Sequence, residues 1–429
     1  MYDLTVIGSG WAGFNAALRA KESGLKVCLI ERAQIGGTCL NLGCIPTKTL
    51  IQSAKVYSLA RKSAVFGLEP LSPQINFEKL QERKENIIRQ LASGIQFMLK
   101  GIDVVKENAK LLSPEEIQVG SQKIQTKFIL IATGSTSIEF PFLKFDNEKV
   151  ISSDTLLNIK RIPATLLIIG GGVIGCEFAS LFCAFGSQVT VVEKMPQLLP
   201  GEDREVARKL ETIFKKKGIK VNTDTDASSV NINDFELVLV SVGRVPRTEG
   251  LELETLGVKT ERGRVVVDEY LRTNIPNIFA AGDCTGKKML AHFAAYQGCI
   301  AADNMAHPDQ LKKAEDASVP NCIFTDPEIA SVGMNEEQAH TKGIDIEARK
   351  FDFLGSGMAR ILDEADGFIK IISDKKTEEV LGASIVGPKA TELIACLTLA
   401  VSNHLKASSI RNTIFAHPTL SESIHEAIK

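Results

Sequence analysis

The sequence predicts an α/β protein with two Rossmann-like dinucleotide-binding domains followed by a C-terminal α+β domain, and three observations carry the prediction. Strand, glycine turn, helix and strand follow one another twice, once from Leu4 and again from Leu166, and beyond about Val319 strand-like stretches alternate with helical ones. The chain, at 429 residues, is also longer than the roughly 250 to 300 residues at which a single hydrophobic core stops growing.

The first unit runs from the strand Leu4–Ile7 through Gly8-Ser9-Gly10-Trp11-Ala12-Gly13 into an alanine-rich helix ending at Glu22, and returns as the strand Lys26–Ile30. Gly8 permits the tight turn, Gly10 lets the backbone approach a pyrophosphate, and Gly13 lets the helix pack on the strand, so that the helix N-terminus faces the phosphates. Glu31 ends the second strand at the position, about 20 residues on, where a carboxylate accepts hydrogen bonds from ribose hydroxyls. Arg32 beside it is a further cofactor-binding candidate. Glycines alone would fit a turn that binds nothing; strand, helix and acid together point to a dinucleotide.

The second unit repeats these parts. Leu166–Ile169 is its first strand, the turn is Gly170-Gly171-Gly172-Val173-Ile174-Gly175, the helix runs to about Phe185, and Gln188–Val192 ends on Glu193. Gly170, Gly172 and Gly175 take the roles of the first three glycines. Glu193 favours NAD over NADP because a carboxylate repels a 2′-phosphate and accepts from a free 2′-hydroxyl. Lys194 weakens that preference, but no arginine cluster follows to receive the phosphate. Two units imply two dinucleotides.

Between the units lie a cysteine-containing segment, an amphipathic helix over Phe77–Leu99, and a hairpin-like region ending in the strand Phe128–Ala132. After the second unit come Leu237–Val242, the turn Gly243-Arg244-Val245-Pro246, and the apolar strand Ile278-Phe279-Ala280-Ala281 closing on Gly282-Asp283, which is expected to return the chain to the first domain. The expected boundaries are 1–143 with 272–318 for the first domain, 144–271 for the second, and 319–429 for the third. Phe368–Ile372 and Val380–Ile385 are strands of the third domain, mixed with two helices.

Fifty basic against fifty-two acidic side chains give a formal charge of −2, which offers nucleic acid or an anionic membrane no general attraction. No apolar run reaches the length of a membrane span, and the N-terminus enters a strand without a signal-peptide layout, so a cytoplasmic protein is expected. Nine scattered cysteines in such a chain argue against a structural disulfide framework.

One pair stands apart: Cys39 and Cys44, five positions apart in Gly36-Gly37-Thr38-Cys39-Leu40-Asn41-Leu42-Gly43-Cys44-Ile45-Pro46-Thr47-Lys48. On a regular helix such residues have Cα atoms about 8.6 Å apart, whereas a disulfide needs about 4.4 to 6.8 Å. Either the segment is distorted, as Gly43 would allow, or the thiols stay apart and inert. A paired, small, accessible loop describes a reducible catalytic disulfide. No histidine or second cysteine pair has zinc-ligand spacing, so no metal is expected. The C-terminal segment His417-Pro418-Thr419-Leu420-Ser421-Glu422 also stands out, although on composition alone a lone histidine is more often structural than catalytic.

With Gly37-Thr38-Cys39 to Cys44-Ile45-Pro46-Thr47-Lys48, Ala132-Thr133-Gly134, Gly243-Arg244-Val245-Pro246, Ala281-Gly282-Asp283 and Thr325-Asp326-Pro327-Glu328 in order along nearly the whole chain, the sequence resembles the pyridine nucleotide-disulfide oxidoreductases. The resemblance implies FAD in the first unit, NAD in the second and a redox-active Cys39–Cys44 disulfide. It also implies Lys48 beside the flavin, Glu177 paired with Lys48 near the nicotinamide, and Asp283 at the flavin's ribityl and phosphate region. His417 becomes the acid/base, oriented by Glu422 and offered to the partner subunit's flavin site, so a homodimer is implied and the third domain becomes its dimerisation domain. The cysteine segment is most similar to the branch that oxidises dihydrolipoyl groups on lipoyl-bearing proteins of 2-oxoacid dehydrogenase or glycine-cleavage systems.

Three features depart from that branch. Phe415 stands where another histidine is usual, Phe293–Gln297 replaces a more charged stretch, and the region before Leu237 lacks the usual hairpin excursion, a trimmed second domain. The first two bear on the substrate, which leaves as alternatives an NAD(P)H-dependent flavoprotein reductase of another disulfide, or a non-catalytic flavin-binding subunit. Retention of Cys39, Cys44, His417 and Glu422 together argues against the last.

Overall fold

The computed structural model describes all residues from Met1 to Lys429, and the chain forms two compact units. One comprises Met1–Thr49, Lys79–Ile138 and Gly243–Asp316; the other comprises Leu50–Glu78, Glu139–Val242 and Ala317–Lys429.

The first unit is organised by a seven-stranded sheet. Its parallel part runs in the order Asp103–Val105, Val27–Ile30, Tyr2–Ile7, Gln122–Ile131, Ile278–Ala280. These strands are nearly continuous apolar runs because helices cover them. The register sets Ile7 opposite both Ile30 and Ile131, and Ala280 opposite Ile131. Gly8, Glu31, Ala132 and Ala281 therefore all leave the sheet along one edge, its carboxyl end, where α/β proteins bind ligands. The longest strand continues the other way, its earlier residues pairing antiparallel with Glu116–Val119, which forms a meander with Ala109–Ser113. The helix Trp11–Glu22 lies against Ala291–Ala306 through small residues: a Cβ built on Gly298 would come within 2.1 Å of the Ala12 carbonyl oxygen.

The second unit holds two five-stranded sheets. The parallel one orders Lys220–Asn222, Gln188–Val192, Thr165–Ile169, Leu237–Val240 and Val150–Ile151, with Ile169 opposite Val192 and Val240. Gly170, Glu193 and Ser241 thus share an edge as Gly8, Glu31 and Ala132 do. Between Lys220–Asn222 and Leu237–Val240 the chain makes only the short 3-10 turns Ala227–Ser229 and Ile232–Asp234, whose neighbours Val230 and Phe235, with Ile232, cover apolar residues of this sheet.

The other sheet is antiparallel, in the order Asn321–Ile323, Glu328–Gly333, Val380–Gly387, Phe368–Asp374, Ile346–Asp352. Around it are five helices rather than the two expected, and only Ala390–Ser402 is longer than six residues. The short ones lack the length over which helical periodicity is readable. Asp203 caps the helix Arg204–Lys216, accepting from the Glu205 N–H at 2.8 Å. Its other oxygen meets Lys370 Nζ at 2.8 Å, and Glu336 meets the same ammonium at 2.6 Å. Lys370 and Asp203 have side chains only 4 and 5% exposed, so each charge depends on its partner. Replacing Lys370 with methionine is expected to destabilise the protein by about 3 kcal/mol, since removing one member of a buried pair leaves the other unpaired; an unchanged melting temperature would show that the cluster is solvated.

Candidate active site

The two glycine turns are built alike. Gly8 has φ +102° and Gly170 φ +106°, and a Cβ on either would lie 2.4 or 2.5 Å from a carbonyl oxygen of the neighbouring strand's end, that of Ala132 or Ser241. A Cβ on Gly13 or Gly175 would lie 1.9 Å from the carbonyl oxygen of Gly8 or Gly170. These four glycines are required by backbone approach. Around Gly10 and Gly172 a Cβ would meet nothing within 4 Å. Both precede a helix N-terminus with extended backbone, φ −64° and −74°, and the space over each is where a pyrophosphate fits.

A carboxylate closes each turn. Glu31 Oε2 accepts from the Ser9 N–H at 2.8 Å and the Ser9 hydroxyl at 2.7 Å, while Oε1 accepts from the Ala33 N–H at 2.8 Å. Glu193 accepts from the Gly171 and Met195 N–H groups, both at 2.7 Å. The acids expected from their spacing to accept from ribose hydroxyls are here the residues that hold the glycine loops. Lys194 lies 3.7 Å from Asp226, whose charge offsets it, and Arg32 is exposed. Beside Glu31 a cavity of about 440 Å³ is lined by Ala33, Ile35, Asn41, Ile88 and Arg89 among others.

Gly37 leads from that site to the cysteines, since a Cβ there would lie 2.6 Å from the Gly10 Cα. Gly37–Leu42 is one short helix and Cys44–Arg61 another, broken at Gly43 with φ −142° and ψ −114°. A Cβ on Gly43 would lie 2.9 Å from the Thr38 carbonyl oxygen and 3.2 Å from the Cys39 Cα. The break folds Cys44 back on Cys39, which a continuous helix could not do. Asn41 ties the first helix down, donating to the carbonyls of Ile35 and Gly37 at 3.1 and 2.9 Å. Thr47 starts the second, its hydroxyl donating to the Gly43 carbonyl at 2.6 Å.

Both cysteines are free thiols. Hydrogen bonding with the Cys44 thiol, then burial, pushes the Cys39 thiol up, while Trp11 and the Lys48 charge act the other way. Cys28 and Cys284 are pushed up to about 12 chiefly by burial, which leaves them inert. Lys48 is half-buried one turn after Cys44.

Asp283 follows the last strand of the first sheet. The buried Ser135 hydroxyl donates to its Oδ2 at 2.6 Å, and Arg244 Nε donates to the same Ser135 oxygen at 2.8 Å. Arg244 also donates to the Ser135 carbonyl at 2.9 Å. Gly282 donates its N–H to Gln297 Oε1 at 2.8 Å, and Thr133 donates to the Arg247 carbonyl. Over Gly134, as over Gly10, a Cβ would meet nothing within 4 Å. Ser135, Ser9, Trp11 and Gln297 were not found from the sequence: each acts on a residue distant along the chain, 148 positions away for Ser135 and Asp283.

In the second unit Glu177 is buried on the helix Val173–Ala184 and accepts from the Phe324 N–H at 2.9 Å. His417 Nδ1 lies 2.8 Å from Glu422 Oε1, with its ring 82% exposed. The Thr419 N–H on Glu422 Oε2 at 2.8 Å, followed by His417, holds this carboxyl below its usual range. A carboxylate at Nδ1 leaves Nε2 basic and accessible. Phe415 packs against the C-terminal core, its ring 5.8 Å from that of His425, and Phe293 is 1% exposed in the first unit's interior. Phe415 is thus a half-buried residue on the C-terminal core, and Phe293 a buried one in the first unit. No group of three or more His, Cys, Asp or Glu is disposed to hold a metal ion, and no helix is long and apolar enough to cross a membrane.

Comparison with known proteins matches residues 2–298 to the pyridine nucleotide-disulphide oxidoreductase model and residues 319–428 to that family's dimerisation domain. A dihydrolipoyl dehydrogenase of Bacillus subtilis is 39% identical over 99% of this chain and 97% of its own length. One of Chlamydia trachomatis is 39% identical over 98% and 95%. Among solved structures, the HOCl-induced flavoprotein disulfide reductase RclA from Escherichia coli has TM-score 0.89 and 31% identity, covering 100% of this chain and 99% of that one. LpdA from Mycobacterium tuberculosis has TM-score 0.92 at 28% identity, covering 99% of each.

The two open glycine positions separate the cofactors. Gly172→Val is expected to raise the KM for NAD at least about tenfold without changing flavin content, and Gly10→Val to yield protein without flavin. Flavin absorbance and NAD kinetics read both, and wild-type NAD kinetics in Gly172→Val would remove the pyrophosphate from that space.

Proposed function

The chain belongs to the pyridine nucleotide-disulphide oxidoreductases, and on that premise we propose that it catalyses the reaction of dihydrolipoyl dehydrogenase, oxidising protein-bound dihydrolipoyl groups with FAD as the resident cofactor and NAD as acceptor. The observation that carries the reading is the helix break at Gly43, packed against the Thr38 carbonyl and the Cys39 Cα, which turns Cys44 back towards Cys39 one turn before Lys48. The full-length likeness to two dihydrolipoyl dehydrogenases supports the substrate.

The protein's own residues divide the work. His417, its Nδ1 held by Glu422, takes the substrate thiol's proton at Nε2. The thiolate attacks Cys39 of the disulfide form; the Cys39–Cys44 bond breaks and Cys44 leaves as thiolate. The second substrate thiol displaces Cys39, so that the lipoyl disulfide forms and the cysteine pair gains two electrons. Bound FAD and NAD supply the carriers through which that pair leaves the dithiol as NADH. Glu31 with Gly8, Gly10 and Gly13 holds the first dinucleotide, with Asp283 steadied by Ser135. Gly170, Gly172, Gly175 and Glu193 hold the second, with Glu177 on the helix that follows this glycine turn.

The reading includes a homodimer in which His417 of one protomer serves the dithiol of its partner. The occupants of the substrate site are lipoyl-bearing proteins of 2-oxoacid dehydrogenase or glycine-cleavage systems. The nine free cysteines suit a reducing cytoplasm.

Anaerobic titration with dihydrolipoamide is expected to raise the long-wavelength absorbance of a Cys44 thiolate lying against flavin, and added NAD to abolish it with formation of NADH. A spectrum that responds to NADH and ignores dihydrolipoamide would instead assign the chain to reductases of other disulfides. His417→Gln is expected to lower dihydrolipoamide turnover at least about 10²-fold while NADH still reduces the flavin; near-normal turnover would remove His417 from this role.

A further inference from the structure

The second glycine turn is held from two sides. Glu193 Oε2 accepts the Gly171 N–H at 2.7 Å, and the Gly171 carbonyl accepts the Leu199 N–H at 2.8 Å. The Leu198 side chain covers the glycine, since a Cβ on Gly171 would lie 2.6 Å from Leu198 Cδ2. In a trans peptide the carbonyl and the N–H that follows it point in opposite directions. By fixing the Gly171 carbonyl, Leu199 therefore also fixes the direction of the Gly172 N–H, at the N-terminal end of the helix Val173–Ala184, where backbone donors receive phosphate oxygens.

Leu199 is itself held in place. It is buried with φ +48°, a left-handed conformation that persists in such a residue when surrounding contacts over-determine it. Its carbonyl accepts the Glu202 N–H at 2.8 Å. The Glu202 side chain then reaches the other sheet of the second unit, where its Oε1 accepts from Asn321 Nδ2 at 2.6 Å and from the Ser331 hydroxyl at 3.1 Å. Asn321 and Ser331 stand directly opposite each other on neighbouring antiparallel strands, so amide and hydroxyl converge on one oxygen. Gln197 closes the segment on itself, Nε2 donating to the Glu202 carbonyl at 3.3 Å.

We propose that Glu202 is a positioning residue for NAD: it pins Leu199, Leu199 pins the Gly171 carbonyl, and the antiparallel sheet of the third domain thereby joins Glu193 in setting the pyrophosphate-binding turn. The proposal rests on the assignment of NAD to the second glycine turn and on nothing about the dithiol substrate.

The first turn is gripped in the same way. There the Ser9 carbonyl accepts the Gly36 N–H at 3.2 Å, and the segment so attached carries the cysteines. In the second turn the matching grip attaches Leu198–Asp203, which ends on a different sheet. Asp203, next along, caps the helix Arg204–Lys216 and meets Lys370 at 2.8 Å, so it anchors the chain that follows. Glu202 acts in the other direction, joining Leu199 to the Asn321–Ser331 pair. Once Glu202 is released, Leu199 is free to leave its left-handed conformation, its N–H leaves the Gly171 carbonyl, and the Gly171–Gly172 peptide gains freedom to rotate. Glu193 and Asp203 still hold the two ends, which makes the expected loss moderate.

Calorimetric titration of NAD into oxidised holoenzyme reads the turn with no dithiol present. Glu202→Ala is expected to weaken NAD binding about fivefold with full flavin content. Asn321→Ala, on the antiparallel sheet, is expected to give a shift of the same order, and it carries the test should Glu202→Ala not fold. The double variant is expected to bind no more weakly than the weaker single variant, because both remove one connection; a loss of about twenty-five-fold, the product of independent effects, overturns the link. Glu202→Gln keeps an oxygen for both donors and is expected to bind within about twofold of wild type; a shift as large as that of Glu202→Ala overturns positioning through these hydrogen bonds. Wild-type binding in folded Glu202→Ala or Asn321→Ala, with binding weakened in Gly172→Val, overturns the proposal alone. Unchanged binding in Gly172→Val overturns the assignment of NAD to this turn, and the proposal with it.

Discussion

A buried carboxylate at the end of a strand, holding a glycine turn at the end of its neighbour, is the interaction on which the rest of the protein depends. Glu31 and Glu193 are each 8% exposed, an environment that penalises charge unless hydrogen bonds compensate. Glu31 accepts three such bonds and Glu193 two, all from the loops beside them. Charge-assisted bonds to backbone N–H groups are among the stronger polar contacts in a protein. They hold the turns in a conformation that leaves open space over Gly10 and Gly172. In the first unit the consequence extends further. The Gly36 N–H reaches the Ser9 carbonyl at 3.2 Å and Gly37 abuts Gly10, so the cysteine segment is seated on the latched turn.

That seating explains why one glycine decides the chemistry of the segment. With Gly37 held, the helix Gly37–Leu42 has a defined direction, and the chain must reverse within a residue to bring Cys44 back. Gly43 is that residue, its α-hydrogen pressed against the Thr38 carbonyl and Cys39. The five-residue spacing of the cysteines left two possibilities open on helical geometry alone. The structure shows the segment broken at Gly43, a distortion that no hydrophobic periodicity encodes.

The parts legible in the sequence share a physical origin: they are written in local pattern. The strand Gln188–Val192 and the helices Trp11–Glu22 and Phe77–Met98 are runs long enough to show a period, and each glycine fingerprint is a short string with a steric reason for every member. What was not legible is held by contacts across long stretches of chain. Ser135 reaches Asp283, Gln297 reaches Gly282, and Lys370 reaches Asp203 and Glu336. Single-turn helices around the C-terminal sheet were missed for a different reason, since five or six residues cannot display an amphipathic repeat.

Phe293 and Phe415 show how a departure from a family pattern should be weighed. Both replace positions where more polar residues were anticipated, and both suggested a change of substrate. Burial redirects the inference. Phe293 sits on the helix Ala291–Ala306 inside the first unit, one turn from Gln297, which accepts from Gly282 immediately before Asp283. That places Phe293 in the packing of the helix whose Gln297 holds the loop before Asp283. Phe415 turns into the C-terminal core, while His417, two residues on, keeps its ring in solvent and its Nδ1 on Glu422. An apolar residue at 415 therefore anchors the segment on the C-terminal core and leaves the His417–Glu422 pair without a second imidazole at that position. A lone exposed histidine oriented by one carboxylate carries a single basic nitrogen, Nε2, and that asymmetry is what a directional proton transfer from a thiol requires.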